Sequence, residues 1–291
     1  MELAASRLIT RLLIAMTLAT AAGQTYAVGG RLLATGGVTE LEGAGGGGIT
    51  PWALITGYGT RDEIGASAFY TLLETGHFTL QSAGAAVGFY DRLELSFARQ
   101  WFDLGDTVPG ETIEMNVIGA KAKLFGDAIY AQDSALPQVA VGAQFKRNES
   151  FDFVPALLGA EDASGVEIYL CATKLLLAGL FGRNVLVNGT LRRTSANQLG
   201  LLGFGGHGEN DPSIEFEGSA GVFLNDSLLL GGEYRSKPDN LRAFEEEDFA
   251  DVFLAWVPLK GISVTAAYAW LGNVADQRNE DALYLSAQVS F

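Results

Sequence analysis

Leu283-Tyr284-Leu285-Ser286-Ala287-Gln288-Val289-Ser290-Phe291 alternates apolar and polar residues and stops on an aromatic. On an extended strand side chains alternate in direction, so Leu283, Leu285, Ala287, Val289 and Phe291 share one face, and Ser286, Gln288 and Ser290 share the other. One face suits lipid and the other water, which is what the wall of a membrane-spanning barrel requires. The pattern reads as the sorting signal of a bacterial outer-membrane protein, with Leu283, Leu285, Val289 and Phe291 shown to the barrel-assembly machinery. A soluble sandwich could end the same way, so the rest of the chain has to decide.

At the other end, Arg7 and Arg11 precede an apolar run from Leu12 to Ala22, followed by Gln24-Thr25-Tyr26-Ala27. Residues 1–27 are expected to be a cleaved secretory signal peptide, because the run falls short of the roughly 20 residues a membrane helix needs. The mature chain, 28–291, has no later apolar run long enough to span as a helix. With 37 glycines, 7 prolines and 18% charged residues, the composition suits strands and tight turns. The fold class is therefore all-β, a transmembrane antiparallel β-barrel in the outer membrane of a Gram-negative cell. The single cysteine, Cys171, excludes an internal disulfide and reads as a wall residue. The whole chain carries a net charge of −15, which argues against nucleic acid as a partner.

Strand-like segments recur near 63–73, 78–90, 92–102, 112–125, 137–147, 165–177, 184–194, 213–224, 227–236, 248–257, 261–271 and 281–291. A thirteenth lies at 49–58. Both ends of such a barrel belong in the periplasm, so the strand number should be even, and Gly30–Leu41 supplies a fourteenth with poorer alternation. About 14 strands are expected, with 12 as the alternative; residues 28–48 are then a first strand, a plug or a periplasmic lead. Tight turns at 225–226 and 258–260 contrast with longer outer connections at 148–164, 195–212, 237–247 and 272–280. The polar faces place Glu94, Glu114, Asn116, Lys121, Lys123, Glu167, Asn188, Arg192, Glu215, Glu217, Glu233 and Arg235 inside, as candidate pore-lining residues. Aromatics near strand ends are expected to form two interfacial girdles, Trp52, Trp101, Phe102, Phe145, Tyr234 and Trp270 outside and Phe89, Tyr90, Phe125, Trp256 and Phe291 inside.

Catalytic patterns find little support. Gly43-Ala44-Gly45-Gly46-Gly47-Gly48 satisfies the dinucleotide spacing, but Ile49-Thr50-Pro51-Trp52 does not open a helix to receive a pyrophosphate. A close backbone crossing or a mobile loop is the better account. His77, in a short connection, reads as a solvated turn residue. His207, in a glycine-rich loop, has no committed serine to activate. Glu245-Glu246-Glu247-Asp248 offers oxygen ligands for a divalent ion, yet an extended run sends alternate carboxylates in opposite directions. No enzyme activity, cofactor or metal is expected. The apolar loop Phe151–Gly159 either packs on its own rim or meets a greasy ligand.

The blocks Gly30-Arg31-Leu32-Leu33-Ala34-Thr35-Gly36-Gly37-Val38, Glu42-Gly43-Ala44, Pro51-Trp52-Ala53, Gly57-Tyr58-Gly59-Thr60-Arg61-Asp62 and Pro137-Gln138-Val139-Ala140-Val141-Gly142 resemble a proteobacterial family of exported proteins, domain of unknown function 3034. The resemblance spans the mature chain and implies an outer-membrane setting without an activity or site residues. The leading functional expectation is a passive channel for small, preferentially cationic solutes. Five outer loops carry 15 acidic residues against Lys237, Arg242 and Arg278, and such a mouth concentrates cations. The alternatives are uptake of a hydrophobic small molecule and a non-conducting structural or adhesion barrel. Expected partners are outer-membrane lipid, the assembly machinery and small solutes, with a monomeric or weakly oligomeric barrel.

Overall fold

Alternation carried across twelve consecutive segments gives a sheet with one wet and one greasy face, and such a sheet buries its edges by closing on itself. The computed structural model describes residues 33–34, 36–206 and 211–291; the expected signal peptide and His207 lie outside them. The closed barrel consists of β3 (Ile64–Glu74), β4 (Thr79–Phe89), β5 (Leu93–Asp103), β6 (Thr112–Phe125), β7 (Gln138–Asn148), β8 (Ser164–Leu180), β9 (Arg183–Thr194), β10 (Ser213–Asn225), β11 (Leu228–Arg235), β12 (Phe249–Leu259), β13 (Ile262–Val274) and β14 (Gln277–Ser290). Every pairing is antiparallel, and all but the closing one join sequence neighbours. The seam is β14 against β3, with Leu283 opposite Glu74 and Ser290 opposite Ser67. Phe291 locks this seam: its N–H donates to the Ala66 carbonyl at 2.8 Å and its own carbonyl accepts from Tyr58 N at 2.8 Å.

The count is thus twelve, the alternative, rather than fourteen. Residues 49–58 and the described part of 30–41 do not join the wall. They form a plug in the lumen, where 39–58 are buried and the two-residue strands β1 (Val38–Thr39) and β2 (Gly45–Gly46) pair only with each other. The physical reason is composition. A wall strand needs an apolar lipid face, whereas this stretch is a glycine run interrupted by Pro51. Its trajectory demands that bareness: a Cβ on Gly46 would stand 2.3 Å from the Thr50 carbonyl oxygen, and one on Gly47 would stand 1.8 Å from Glu233 Oε1. Gly47→Ala is expected to push Glu233 off its partners and loosen the plug by about 1–3 kcal/mol, visible as faster protease cleavage between residues 36 and 60 in the folded barrel.

The barrel's two ends differ. Tight turns at 90–92, 181–182, 226–227 and 260–261, together with the longer 126–137 connection and Phe291, mark the periplasmic side. Long connections at 104–111, 149–163, 195–212 and 236–248 mark the outer side; the expected 272–280 loop is instead a two-residue turn between β13 and β14. The 195–206 connection folds inward as a lid. Leu199, Leu201 and Leu202 pack there with Leu41 and Ile49 of the plug and with Phe102, Ile113 and Met115 of the wall. Within 151–159, Phe151, Val154 and Leu158 pack against the same cluster around the helical turn Val154–Leu158, while Leu157 stays 75% exposed. That loop seats mainly on its own rim.

Trp101, Phe145, Tyr234 and Trp270 face outward, but Trp52 and Phe102 leave the expected outer girdle, being 3% and 5% exposed inside the barrel. On the final strand Leu283, Leu285 and Val289 point away from the lumen, and Tyr284, Ser286, Gln288 and Ser290 point into it.

Candidate functional site

A backbone segment enclosed in a barrel cannot meet its hydrogen-bonding needs from water, so wall side chains must do it. Glu94, on β5, accepts from Gly45 N at 2.9 Å and Thr56 N at 2.8 Å. Lys121, on β6, sits 3.0 Å from Glu94 and donates to the Gly45 and Trp52 carbonyls at 2.7 and 3.1 Å. Glu233, on β11, receives Gly48 N, Ile49 N and the Thr50 hydroxyl at 2.6, 2.9 and 2.7 Å. Asn188 and Thr190 of β9 donate to the Pro51 carbonyl at 3.3 and 3.0 Å. These contacts come from strands on several sides, so the plug is held around its circumference.

At mid-lumen the plug contributes a charge. Glu42 pairs with Lys146 and, at 2.8 Å, with Arg235, and lies 3.9 Å from Arg192. Arg192 in turn holds Glu167 at 2.6 Å, pairs with Glu217, and has its guanidinium 5.1 Å from the Tyr169 ring centroid. Lys146 reaches Glu167 at 2.9 Å. Three carboxylates and three cations, all essentially buried, thus form one knot that includes a single plug residue. Glu40 joins its edge by accepting from Gln144 Nε2 at 2.8 Å.

Of the twelve candidate pore-lining residues, Glu94, Lys121, Glu167, Asn188, Arg192, Glu217, Glu233 and Arg235 come together in this belt. Lys123 and Glu215 share the inward face but lie away from the belt. Lys123 pairs with Asp91 at 2.8 Å near the periplasmic end, and Glu215 accepts from the Ser213 and Ser236 hydroxyls near the outer end. Glu114 and Asn116 are corrections: both face outward. β5 and β6 pair without a bulge from Asp103↔Thr112 to Leu93↔Ala122, so residues 113, 115, 117, 119 and 121 share the lumen face and even-numbered residues cannot. Met115 and Val117 occupy the interior instead, under the lid, while Glu114 pairs with Arg99 and Asn116 donates to Glu149 at 3.0 Å on the outer rim. Polarity misled there because an outward residue near the headgroups can be charged. Lys146, Gln144 and Gln138 were missed, although they continue the inward parity of β7; Glu42 carried no periodic signal at all.

The lumen's periplasmic half changes character. Below the belt lies a chamber of about 430 Å³ walled by Val38, Trp52 and Leu54 of the plug, Ala128 and Ile129 of the 126–137 connection, and Leu175, Leu186, Phe223, Leu229, Ala255 and Val257 of the wall. Asp226 is its one charged lining residue among those described.

The lid is latched to the 236–248 connection. Glu246 accepts from Gln198 N at 3.1 Å and lies 3.7 Å from Lys237, whose ammonium stacks 3.8 Å from the Phe249 ring centroid. Burial pushes Glu246 up to about 7 and Lys237 down to about 8, each partly offset by the other's charge. A raised carboxyl contributes stability that is complete below its ordinary value of 4.5 and lost as pH rises through about 7; a lowered ammonium contributes above 10.5 and loses that contribution as pH falls through about 8. The latch is therefore weakest between those two values and tightens on acidification. Amide protection factors at 197–204 are expected to rise on the order of 30-fold from about pH 7.5 to about pH 5, a rise that Glu246→Gln removes.

Other candidates disperse. His77 is tied to Glu280 at 2.6 Å rather than solvated on all sides. Within 245–248, Glu246 turns into the latch while Asp248 pairs with Tyr234 outside, and the described residues contain no cluster of three metal-ligating side chains. Cys171 is a buried wall residue.

Comparison with known proteins agrees with this architecture. The KdgM porin superposes with a TM-score of 0.50 at 11% identity, over 77% of this chain and 99% of that one. The NanC porin gives 0.48 at 10% identity, over 77% and 98%, and an outer-membrane channel from Pseudomonas putida F1 gives 0.44 at 12% identity, over 84% and 97%. At such identities the likeness is one of fold, that of outer-membrane barrels. No curated protein matches the sequence. The sequence profile of one family does match, over residues 35–288, and the chain belongs to that family, the proteins of unknown function designated DUF3034.

Proposed function

We propose that this protein is an exported outer-membrane channel, shut by its own lumenal segment, that admits small and predominantly apolar molecules. The observation that carries this is the apolar chamber beneath the plug: a barrel serving only as scaffold has no use for a 430 Å³ greasy space in its axis, and its size is that of a small-molecule site. The plug's fastening supports a gate. Buried ion pairs stabilise no better than apolar packing, so the knot around Glu42 is better explained as setting one plug position that can be exchanged for another. Export through residues 1–27 and assembly through Leu283, Leu285, Val289 and Phe291 belong to the same proposal, as does the absence of bond-making chemistry.

Thr50 Oγ1 and Ser219 Oγ lie 2.5 Å apart, which suits a tether between plug and wall. With Thr50→Cys and Ser219→Cys joined by a disulfide, cells carrying the protein should lose accumulation of a neutral aromatic compound and regain it on reduction. Uptake indifferent to the tether would overturn the gate. A second reading, a cation-preferring diffusion channel, is favoured by the acid-rich outer loops and by the belt that plug withdrawal would uncover. Cation-selective current across a planar bilayer, increased by reducing the same tether, would support it.

A further inference from the structure

We infer that the periplasmic chamber is a binding site for a neutral apolar molecule, aromatic or of similar bulk, and that it rejects carboxylates of the same size. This rests on the uptake proposal above and narrows its substrate.

Among the described residues the wall carries no cation. Asp226, exposed at the mouth, is the charged lining residue, and Lys174 nearby spends its ammonium on the backbone carbonyls of Asp127, Ala131 and Leu136 at 3.2, 2.6 and 3.3 Å. Of the polar side chains that line the space, Gln132, Thr173 and Ser227 are engaged within the protein, while Asn184, which accepts from Ala178 N at 3.1 Å, and the exposed Tyr130 belong to its periplasmic rim. Gln132 donates to Ile129 and Leu175 carbonyls at 2.7 and 2.9 Å and accepts from Leu177 N at 3.2 Å. Thr173 donates to Asn188 and accepts from Ala53 N at 2.7 Å. Inside the rim a ligand therefore meets mainly Leu, Ile, Val, Phe and Trp side chains and gains chiefly by leaving water. A carboxylate entering the same space would lose its hydration without a counter-ion, and Asp226 would repel it at the entrance. A neutral hydroxyl or amine at the mouth meets no such penalty.

The chamber contains its own reporter. Of the four tryptophans, Trp101, Trp256 and Trp270 point outward, and Trp52 alone lines the space, its indole N–H fixed on Ser219 Oγ at 3.0 Å. The test is a titration of the refolded mature barrel with 1-naphthalenemethanol and, in parallel, with 1-naphthoate, following tryptophan emission with Trp52→Phe as the control for partition into detergent. The neutral compound should quench the Trp52 component at concentrations at least tenfold below the anion, and Ala255→Trp, which fills the space from β12, should weaken it at least tenfold by competition with an unlabelled neutral aromatic. Equal or tighter binding of the naphthoate overturns this inference and leaves apolar uptake standing. Binding of neither compound overturns both. Binding seen only after residues 28–32 are removed would show that the chamber seats the chain's own lead, which also overturns the site.

Discussion

Excising residues 36–56 is expected to turn a barrel that is silent in a planar bilayer into one that conducts in discrete steps. In the closed form two obstacles lie in series, the plug at mid-lumen and the lid at the outer end. Both depend on the same segment, because Leu41 and Ile49 are the floor on which Leu199, Leu201 and Leu202 rest. Removing the floor exposes the lid's apolar underside to water, which favours its displacement. It also frees Glu94, Lys121, Glu167, Arg192, Glu217, Glu233 and Arg235 to line a wet passage. The wall should survive, since its twelve pairings involve no residue before Ile64; an intact heat-modifiable shift on gels would establish that. A folded but silent deletion variant would show that the lid closes the barrel unaided.

Glu42→Ala should be among the most destabilising single substitutions in the lumen, by about 3–5 kcal/mol, because it leaves a buried cation cluster undercompensated. Lys146, Arg192 and Arg235 would then share Glu167 and Glu217 alone, in a site that water does not reach. The loss should appear as a lowered urea midpoint together with protease access to the plug. Glu42→Gln keeps shape and hydrogen bonding and should still lose much of that stability, which separates charge from packing. Replacing Lys146 and Glu42 together by Met and Leu should restore most of the stability, by returning the net charge of the cluster to balance. If Glu42→Ala unfolds like the wild-type chain, the knot does not hold the plug.

The wall was legible because alternation is a local property. From 213 to 224, Glu215, Glu217 and Ser219 against Ile214, Phe216 and Ala220 announce which side meets lipid, and the structure keeps each on its expected face. The same rule puts Glu114 and Asn116 outside, since they differ in parity from Lys121, even though their polarity points to the lumen. The 49–58 segment, Trp52 included, imitates a wall strand in its sequence yet lies inside the lumen. Nothing local distinguishes a strand in the wall from a chain threaded through the lumen, because both bury hydrophobic groups and satisfy their backbone.

What the sequence by itself determined is the barrel: amphipathic strands, most of their inward and outward faces, and a pool of charges turned away from lipid, whereas the count of twelve rather than fourteen came from the structure. These follow from period-two geometry and from the energetic cost of polar groups in hydrocarbon, both written residue by residue. Only the tertiary structure decided that the pool is not an open conduit. Glu42 is 104 residues from Lys146 and 193 from Arg235, and Glu233 meets the glycine run from 185 residues away. Such partners are chosen by closure of the sheet, which brings distant strands to a common axis and leaves the plug as the chain that satisfies them. The apolar chamber beneath it has the same origin, since it is the space left between a closed wall, a plug that ends its charged contacts at mid-lumen, and a periplasmic connection folded across the mouth.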